Sequence, residues 1–171
     1  HLYKPLIHIK DSELKVIPVA LNEGEKKFVL DLKEYYEAYK GSFDGCELYL
    51  LRNLGRGHGV GFFQAHNFYP DFILWLVEGK KQRITFIDPH GMRMAQGGFN
   101  DPKVQFYQEI KTLEKQIGDT DVKLASFIIS VTPFEQIGLW DKKLTQQDFE
   151  DHHIVFQNDK SLYISKIIKD A

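Results

Sequence analysis

The strongest constraint on the fold is a pair of apolar runs separated by a short polar turn. Residues 71–77 and 83–88 are rich in β-branched and aromatic side chains, and residues 78–82 between them include Gly79. So short a connection predicts that the two runs form adjacent antiparallel strands. Continuous apolar runs are typical of strands covered on both faces. The hairpin therefore predicts a sheet with helices packed on each side.

An acidic residue stands at the outer end of each run. Asp71 begins the first run and Asp88 ends the second, so strand pairing would bring the two carboxylates together. Two carboxylates with waters and phosphate oxygens suit Mg²⁺ (or Mn²⁺). Residues 88–91, Asp-Pro-His-Gly, equally fit a type I turn that needs no metal, and Pro70-Asp71 fits an ordinary loop-to-strand boundary. The spacing leaves both interpretations open.

The rest of the chain predicts helices and further strands around this hairpin. Asn22 is a candidate N-cap, Glu25 completes a capping box, and Gly41 is the expected end of the helix. A second helix is expected from Asp101 to near Gly118. Other expected strands are 46–51, 124–131 and 153–157, with a short helix at 134–140 and a strand or short helix at 161–169. This order predicts an α/β fold around a mixed sheet, with residues 1–171 as a single domain.

Charge and cysteine content exclude some classes of protein. The 22 basic and 24 acidic residues give a net charge of -2, whereas DNA-binding modules that act alone are often clearly basic. A catalytic domain delivered to DNA by an attached domain remains compatible with this charge. The single cysteine, Cys46, excludes an internal disulfide and any multi-cysteine zinc site. It is typical of the reducing cytosol, so we expect a cytoplasmic location.

Two longer stretches around the acids resemble a known nuclease family. Residues 67–76 read Asn-Phe-Tyr-Pro-Asp-Phe-Ile-Leu-Trp-Leu, and residues 84–91 read Ile-Thr-Phe-Ile-Asp-Pro-His-Gly. With residues 22–31 and the rest of 59–93, they resemble the PD-(D/E)xK nuclease domain at the C-terminal end of type III restriction-type helicase–nuclease subunits. The resemblance covers about half of the chain. It implies a restriction-endonuclease-like mixed β-sheet flanked by helices and a metal site built from Asp71 and Asp88.

The resemblance also implies a function and partners. It implies a metal-dependent endonuclease that hydrolyses DNA phosphodiester bonds in restriction or phage defence, with Mg²⁺ or Mn²⁺ as cofactor. The chain would be the C-terminal part of a larger protein, with DNA, an upstream helicase/ATPase domain and a modification subunit as partners. An acidic residue on the first helix of such domains often faces the metal, which makes Glu25 a third candidate ligand. The competing role of Glu25 is the capping box.

One residue departs from the family pattern. His90 stands where the family carries a lysine that orients or helps to deprotonate the attacking water. A neutral imidazole accepts a proton near pH 7 and can ligate a metal, but it is shorter than lysine and not reliably cationic. The sequence leaves open a working variant with His90 as a catalytic residue, a weakened enzyme, and a degenerate domain that serves DNA or protein binding.

Basic side chains near the acids in sequence are candidate contacts to the DNA backbone. They are Arg52, Arg56, His58, Arg83 and Arg93. The competing interpretation of each is a solvated surface charge. On the second helix, Lys103, Gln105 and Gln108 are candidates to support the site, and the sequence does not choose among them.

Overall fold

The helices and strands follow the predicted order. The computed structural model describes residues 2–3, 20–54, 59–62, 68–92, 98–137, 143–159 and 161–170. The described strands are β1 (Leu2–Tyr3), β2 (Cys46–Arg52), β3 (Phe72–Glu78), β4 (Lys81–His90), β5 (Val122–Ser130) and β6 (Ile154–Phe156). The described helices are α1 (Glu23–Ala38), α2 (Pro102–Ile117), α3 (Gln146–Glu150) and α4 (Ser161–Asp170).

The strands form one mixed sheet in chain order. Strands β2, β3 and β4 are antiparallel, whereas β5 and β6 continue the sheet in parallel with β4. The two-residue β1 lies parallel to β2 and adds an edge to this five-stranded body. The predicted α/β class with a mixed sheet flanked by helices is confirmed.

The predicted hairpin forms, and its second strand is longer than expected. Gly79 takes a positive φ of 59° in the turn, and the β3–β4 ladder ends at the pair of Phe72 with Ile87. Strand β4 continues beyond this pair and aligns with β5 as far as His90. The alternative of a type I turn at residues 88–91 is therefore wrong. Pro89 is tolerated there because β3 no longer pairs with β4 at that position.

The sheet separates two apolar layers. Helices α1 and α4 cover one face, where the core contains Phe28, Leu50, Phe72, Leu74, Ile87, Ile129 and Ile164. On the other face α2 packs on Phe86 and Leu124 through Phe106 and Ile110, and α3 contributes Phe149 next to Ile128. The expectation of complete cover on both faces is wrong at Trp75, which is 41% exposed.

Capping residues and glycines predicted the ends of the first two helices correctly except at Gly41. Asn22 caps α1 with a reciprocal capping box, and α2 ends at Gly118 with φ 68°. The prediction for Gly41 is wrong, because α1 ends at Ala38 and the chain continues as a 3₁₀ helix, Lys40–Phe43. That turn buries Phe43 against the rings of two tyrosines of α1, and this packing decides where α1 ends.

The C-terminal third contains the remaining predicted elements. The strand expected at 153–157 is β6, and the segment 161–169 is the helix α4 rather than a strand. Within 134–140 a 3₁₀ turn covers Phe134–Gln136, and residues 138–140 lie outside the described part of the chain.

Candidate metal and catalytic site

Asp71 and Asp88 lie side by side at the open end of the β3–β4 hairpin. They are the next residues outward from the last ladder pair, Phe72 with Ile87. Directly opposite residues of an antiparallel pair have Cβ atoms about 4.5–5.5 Å apart. Asp88 is buried and Asp71 is half-buried. The structure thus brings together the two carboxylates that the sequence singled out, called here the acid pair.

The electrostatics of the acid pair favour an added positive charge. Burial, the charge of Asp88 and a hydrogen bond with Asp88 together raise the pKa of Asp71 from its ordinary 3.8 to about 8. The charge of Glu25 acts in the same direction, and the cation of Lys103 acts against it. At neutral pH the Asp71 carboxyl group therefore keeps its proton next to Asp88. A divalent cation in the same place would displace that proton.

Asn53 holds the backbone that carries Asp71. Its N–H donates to the Asp71 carbonyl at 2.8 Å, and its Nδ2 donates to the carbonyls of Pro70 and Val60, each at 2.8 Å. Its Oδ1 accepts from the Val60 N–H at 2.9 Å. Sequence reasoning missed Asn53, because its place opposite Asp71 depends on the β2–β3 register.

Lys103 pairs with the second acid. Its Nζ donates to Oδ2 of Asp88 at 3.1 Å and lies 5.4 Å from the centroid of the Phe68 ring. Asp101 caps α2 by accepting from the Lys103 N–H at 2.8 Å, so the start of the helix places the lysine at the end of β4. The structure thus chooses among the three polar candidates on α2, since Gln105 and Gln108 are both exposed.

Glu25 fills its capping role and still contributes charge to the site. Its Oε2 accepts from the Asn22 N–H at 3.0 Å and lies 3.4 Å from Nη2 of Arg52. One rotamer therefore closes the capping box and pairs with the arginine. Glu25 is also close enough for its charge to raise the pKa of Asp71. A direct role of Glu25 at a metal stays a prediction.

The donor set fits a small divalent cation held by two carboxylates. No group of three His, Cys, Asp or Glu side chains within the described ranges is arranged to hold a metal ion. Mg²⁺ commonly takes one or two carboxylates and keeps waters and substrate phosphates as its other ligands. Asp71 and Asp88 supply that number of carboxylates, and the raised pKa of Asp71 indicates a local shortage of positive charge.

The basic residues predicted to contact DNA differ in where they lie relative to the acid pair. The Arg52 side chain is only 11% exposed and faces Glu25, so its predicted contact with DNA would first require that pair to open. Arg83 lies five residues before Asp88 on β4, which at about 3.3 Å per residue is about 17 Å away. Arg83 therefore lies away from the acid pair, and its predicted contact with the DNA backbone stays a prediction. Arg56, His58 and Arg93 lie outside the described residues.

His90 lies at the solvent end of the site. It is the last residue of β4 and is exposed. Strand alternation puts its side chain on the same face as that of Asp88, two residues earlier. The ion pair with Asp88 is made by Lys103 and not by His90. The catalytic role of His90 stays a prediction.

Comparison with known proteins assigns no function to this chain, so the function is argued from this site. Within the residues that the structure describes, no helix is both long and apolar enough to span a membrane. The nuclease resemblance rests on the two stretches around the acid pair. No family model, curated protein or solved structure matches the chain.

Proposed function

We propose that this chain is a metal-dependent endonuclease domain that hydrolyses DNA phosphodiester bonds. The observation that carries the proposal is the acid pair, where two carboxyl groups at the ends of neighbouring apolar strands meet and where burial beside Asp88 raises the pKa of Asp71. Two buried like charges oppose folding unless a proton or cation neutralises them. Such an arrangement is typical of sites built for chemistry rather than for stability.

The acid pair would hold the metal. Asp71 and Asp88 would bind Mg²⁺ or Mn²⁺ directly, and Glu25 would assist directly or through a water. When bound, such an ion lowers the pKa of a ligating water and neutralises charge on the phosphodiester. Arg52 would keep the Glu25 carboxylate in place through their ion pair.

Lys103 would take the part that the family resemblance gives to the motif lysine. Its Nζ is bound to Asp88, and its side chain is 42% exposed, so it can also reach a phosphate that approaches from solvent. There its charge would stabilise negative charge that develops on the phosphate oxygens. His90, at the exposed end of β4, would accept or pass on the proton of the attacking water.

The partners are those that the family resemblance implies, and the weak charge of the chain is compatible with them. A net charge of -2 gives little general attraction for DNA. An upstream helicase/ATPase domain of the same protein, with a modification subunit, would bring the site to DNA in restriction or phage defence. The specific restriction-endonuclease fold belongs to the same proposal.

One observation favours a second candidate, a degenerate nuclease-like domain that binds DNA or protein without cutting. His90 replaces the motif lysine, and the described residues offer no third metal-holding side chain beside the acid pair. Such a domain would keep the fold and the Asp88–Lys103 pair but would not bind a divalent cation at working concentrations.

Nicking of supercoiled plasmid in Mg²⁺ or Mn²⁺ separates the two candidates. We expect nicking by the natural chain, loss in Asp71→Asn and Asp88→Asn, and a loss of about a hundredfold in Lys103→Met. Arg83→Gln, on the same strand but distant from the acid pair, is the matched control and should nick normally. Nicking that appears only in His90→Lys would support the degenerate domain. Calorimetric titration with Mn²⁺ needs no partner, and absence of both binding and nicking would reject the enzyme.

A further inference from the structure

Gln157 connects the C-terminal part of the chain to the first turn of α1. Its side chain is only 6% exposed and follows directly after β6. Its Nε2 donates to the carbonyl oxygen of Gly24 at 2.8 Å, across 133 positions of sequence. A carbonyl inside a helix can already accept from the N–H four residues on. The bond from Gln157 therefore adds a restraint on where this turn lies.

The same turn lies directly against the strand ends of the site. A Cβ atom on Gly24 would lie 2.5 Å from Cγ1 of Val131, so a larger residue at this position would have to displace the Val131 side chain. The Val131 N–H donates to the His90 carbonyl at 3.0 Å, and His90 stands two residues after Asp88 on β4. Gly24 and Gln157 together hold the first turn of α1 against Val131, which is hydrogen-bonded to the end of β4.

A second branch of these contacts reaches α1 further along. The Gln157 side chain is close enough to Tyr163 to act on the pKa of its phenol, and the Tyr163 hydroxyl donates to Oδ2 of Asp31 at 2.6 Å. Burial, followed by the bond to Asp31, raises the pKa of the Tyr163 phenol. Gly24 and Asp31 are about two helical turns apart, so α1 is restrained at two points. Of the two contacts, the one at Gly24 lies next to Glu25.

We propose that Gln157 is a positioning residue that sets the place of the Glu25 carboxylate beside the acid pair. The inference rests on the proposed nuclease function, in which Glu25 supports the metal. Glu25 is the residue after Gly24, so any shift of that turn moves its carboxylate relative to Arg52 and Asp71. Neither sequence spacing nor the family resemblance assigns a role to Gln157.

A double-mutant cycle tests whether Gln157 acts through Glu25. Gln157→Met keeps the volume and removes the donor, and we expect the metal-dependent nicking rate to fall about tenfold. Tyr163→Phe removes the other branch and should leave the rate within about twofold. In a Glu25→Gln background, Gln157→Met should cause no further loss, because the group that it positions is already gone. A full additional loss in that background would overturn the inference.

Amide hydrogen exchange supplies a readout that does not depend on nuclease activity. The Glu25 and Lys26 N–H groups are bound by Asn22, so their exchange rates report the first turn of α1. We expect exchange there to be several-fold faster in Gln157→Met and unchanged in Tyr163→Phe. Gly24→Ala disturbs the same turn from the Val131 side and should act alike if the methionine variant does not fold. If the natural chain does not nick, the proposed function fails alone, and unchanged exchange in Gln157→Met would overturn the positioning role.

Discussion

Two half-buried aspartates of this molecule have opposite surroundings. Asp31 on α1 accepts from the Tyr163 hydroxyl at 2.6 Å and pairs with Lys27 at 2.5 Å. Asp71 faces the carboxylate of Asp88, and burial with that neighbour raises its pKa to about 8. An acid surrounded by donors holds helices together, whereas an acid placed against another acid lowers stability. The proposed function assigns a chemical role to Asp71 and none to Asp31.

The largest expected contrast is in activity. Asp71→Asn should reduce metal-dependent plasmid nicking by more than about a thousandfold, because an amide cannot replace a carboxylate ligand of Mg²⁺. Asp31→Asn should leave nicking within about twofold. Initial rates at saturating Mg²⁺ measure both, and equal losses in the two variants would remove the distinction between the two acids.

The stability of the same variants should change in opposite directions. The folded chain keeps the Asp71 proton up to pH about 8, whereas the unfolded chain loses it near pH 3.8. Folding therefore takes up a proton in this window, and stability falls as pH rises from about 4 to about 8. Since one pKa unit is worth about 1.4 kcal/mol, even half of the shift makes Asp71→Asn more stable by about 3 kcal/mol at pH 8.

Urea unfolding with EDTA at pH 5 and pH 8 checks this expectation. The gain from Asp71→Asn should be larger at pH 8 than at pH 5, whereas Asp31→Asn should lose stability at both. A gain that is equal at the two pH values would mean that the pKa of Asp71 is not raised in the folded chain.

Tyr163→Phe removes the hydroxyl that donates to Asp31 and so tests what that hydrogen bond contributes. Loss of the buried hydrogen bond to Asp31 should lower the free energy of unfolding by about 1–2 kcal/mol, with nicking unchanged. Thermal unfolding gives the stability change, and Tyr107→Phe, at a half-buried tyrosine on α2, serves as a control for removal of a hydroxyl. A marked fall in nicking with normal stability would place Tyr163 in the functional site.

Thr85 tests whether a buried polar group without a hydrogen-bond partner marks a functional site. Its hydroxyl is buried within β4 and has no hydrogen-bond partner among the described residues, yet it carries no charge. Thr85→Val should raise the free energy of unfolding by up to about 1 kcal/mol and leave nicking unchanged. A destabilised valine variant would show that the hydroxyl is bonded in solution.

Some parts of the site could be predicted from sequence because the signals are local. The hairpin follows from two apolar runs and the short polar segment between them, and it puts Asp71 opposite Asp88. The capping box at Asn22 and the bounds of α2 also depend on residues a few positions apart. Local signals failed at Gly41, where burial of Phe43 decided how the helix ends.

By itself the sequence determined the α/β class, the hairpin and the acid pair, because strand alternation, turns and helix caps act over short distances. Only the tertiary structure decided that Lys103 pairs with Asp88, that Asn53 holds Asp71, and that Arg83 lies far from both. It alone joined Gln157 to Gly24. These contacts link segments from 15 to 133 positions apart. They depend on strand register and helix packing, which no local pattern specifies.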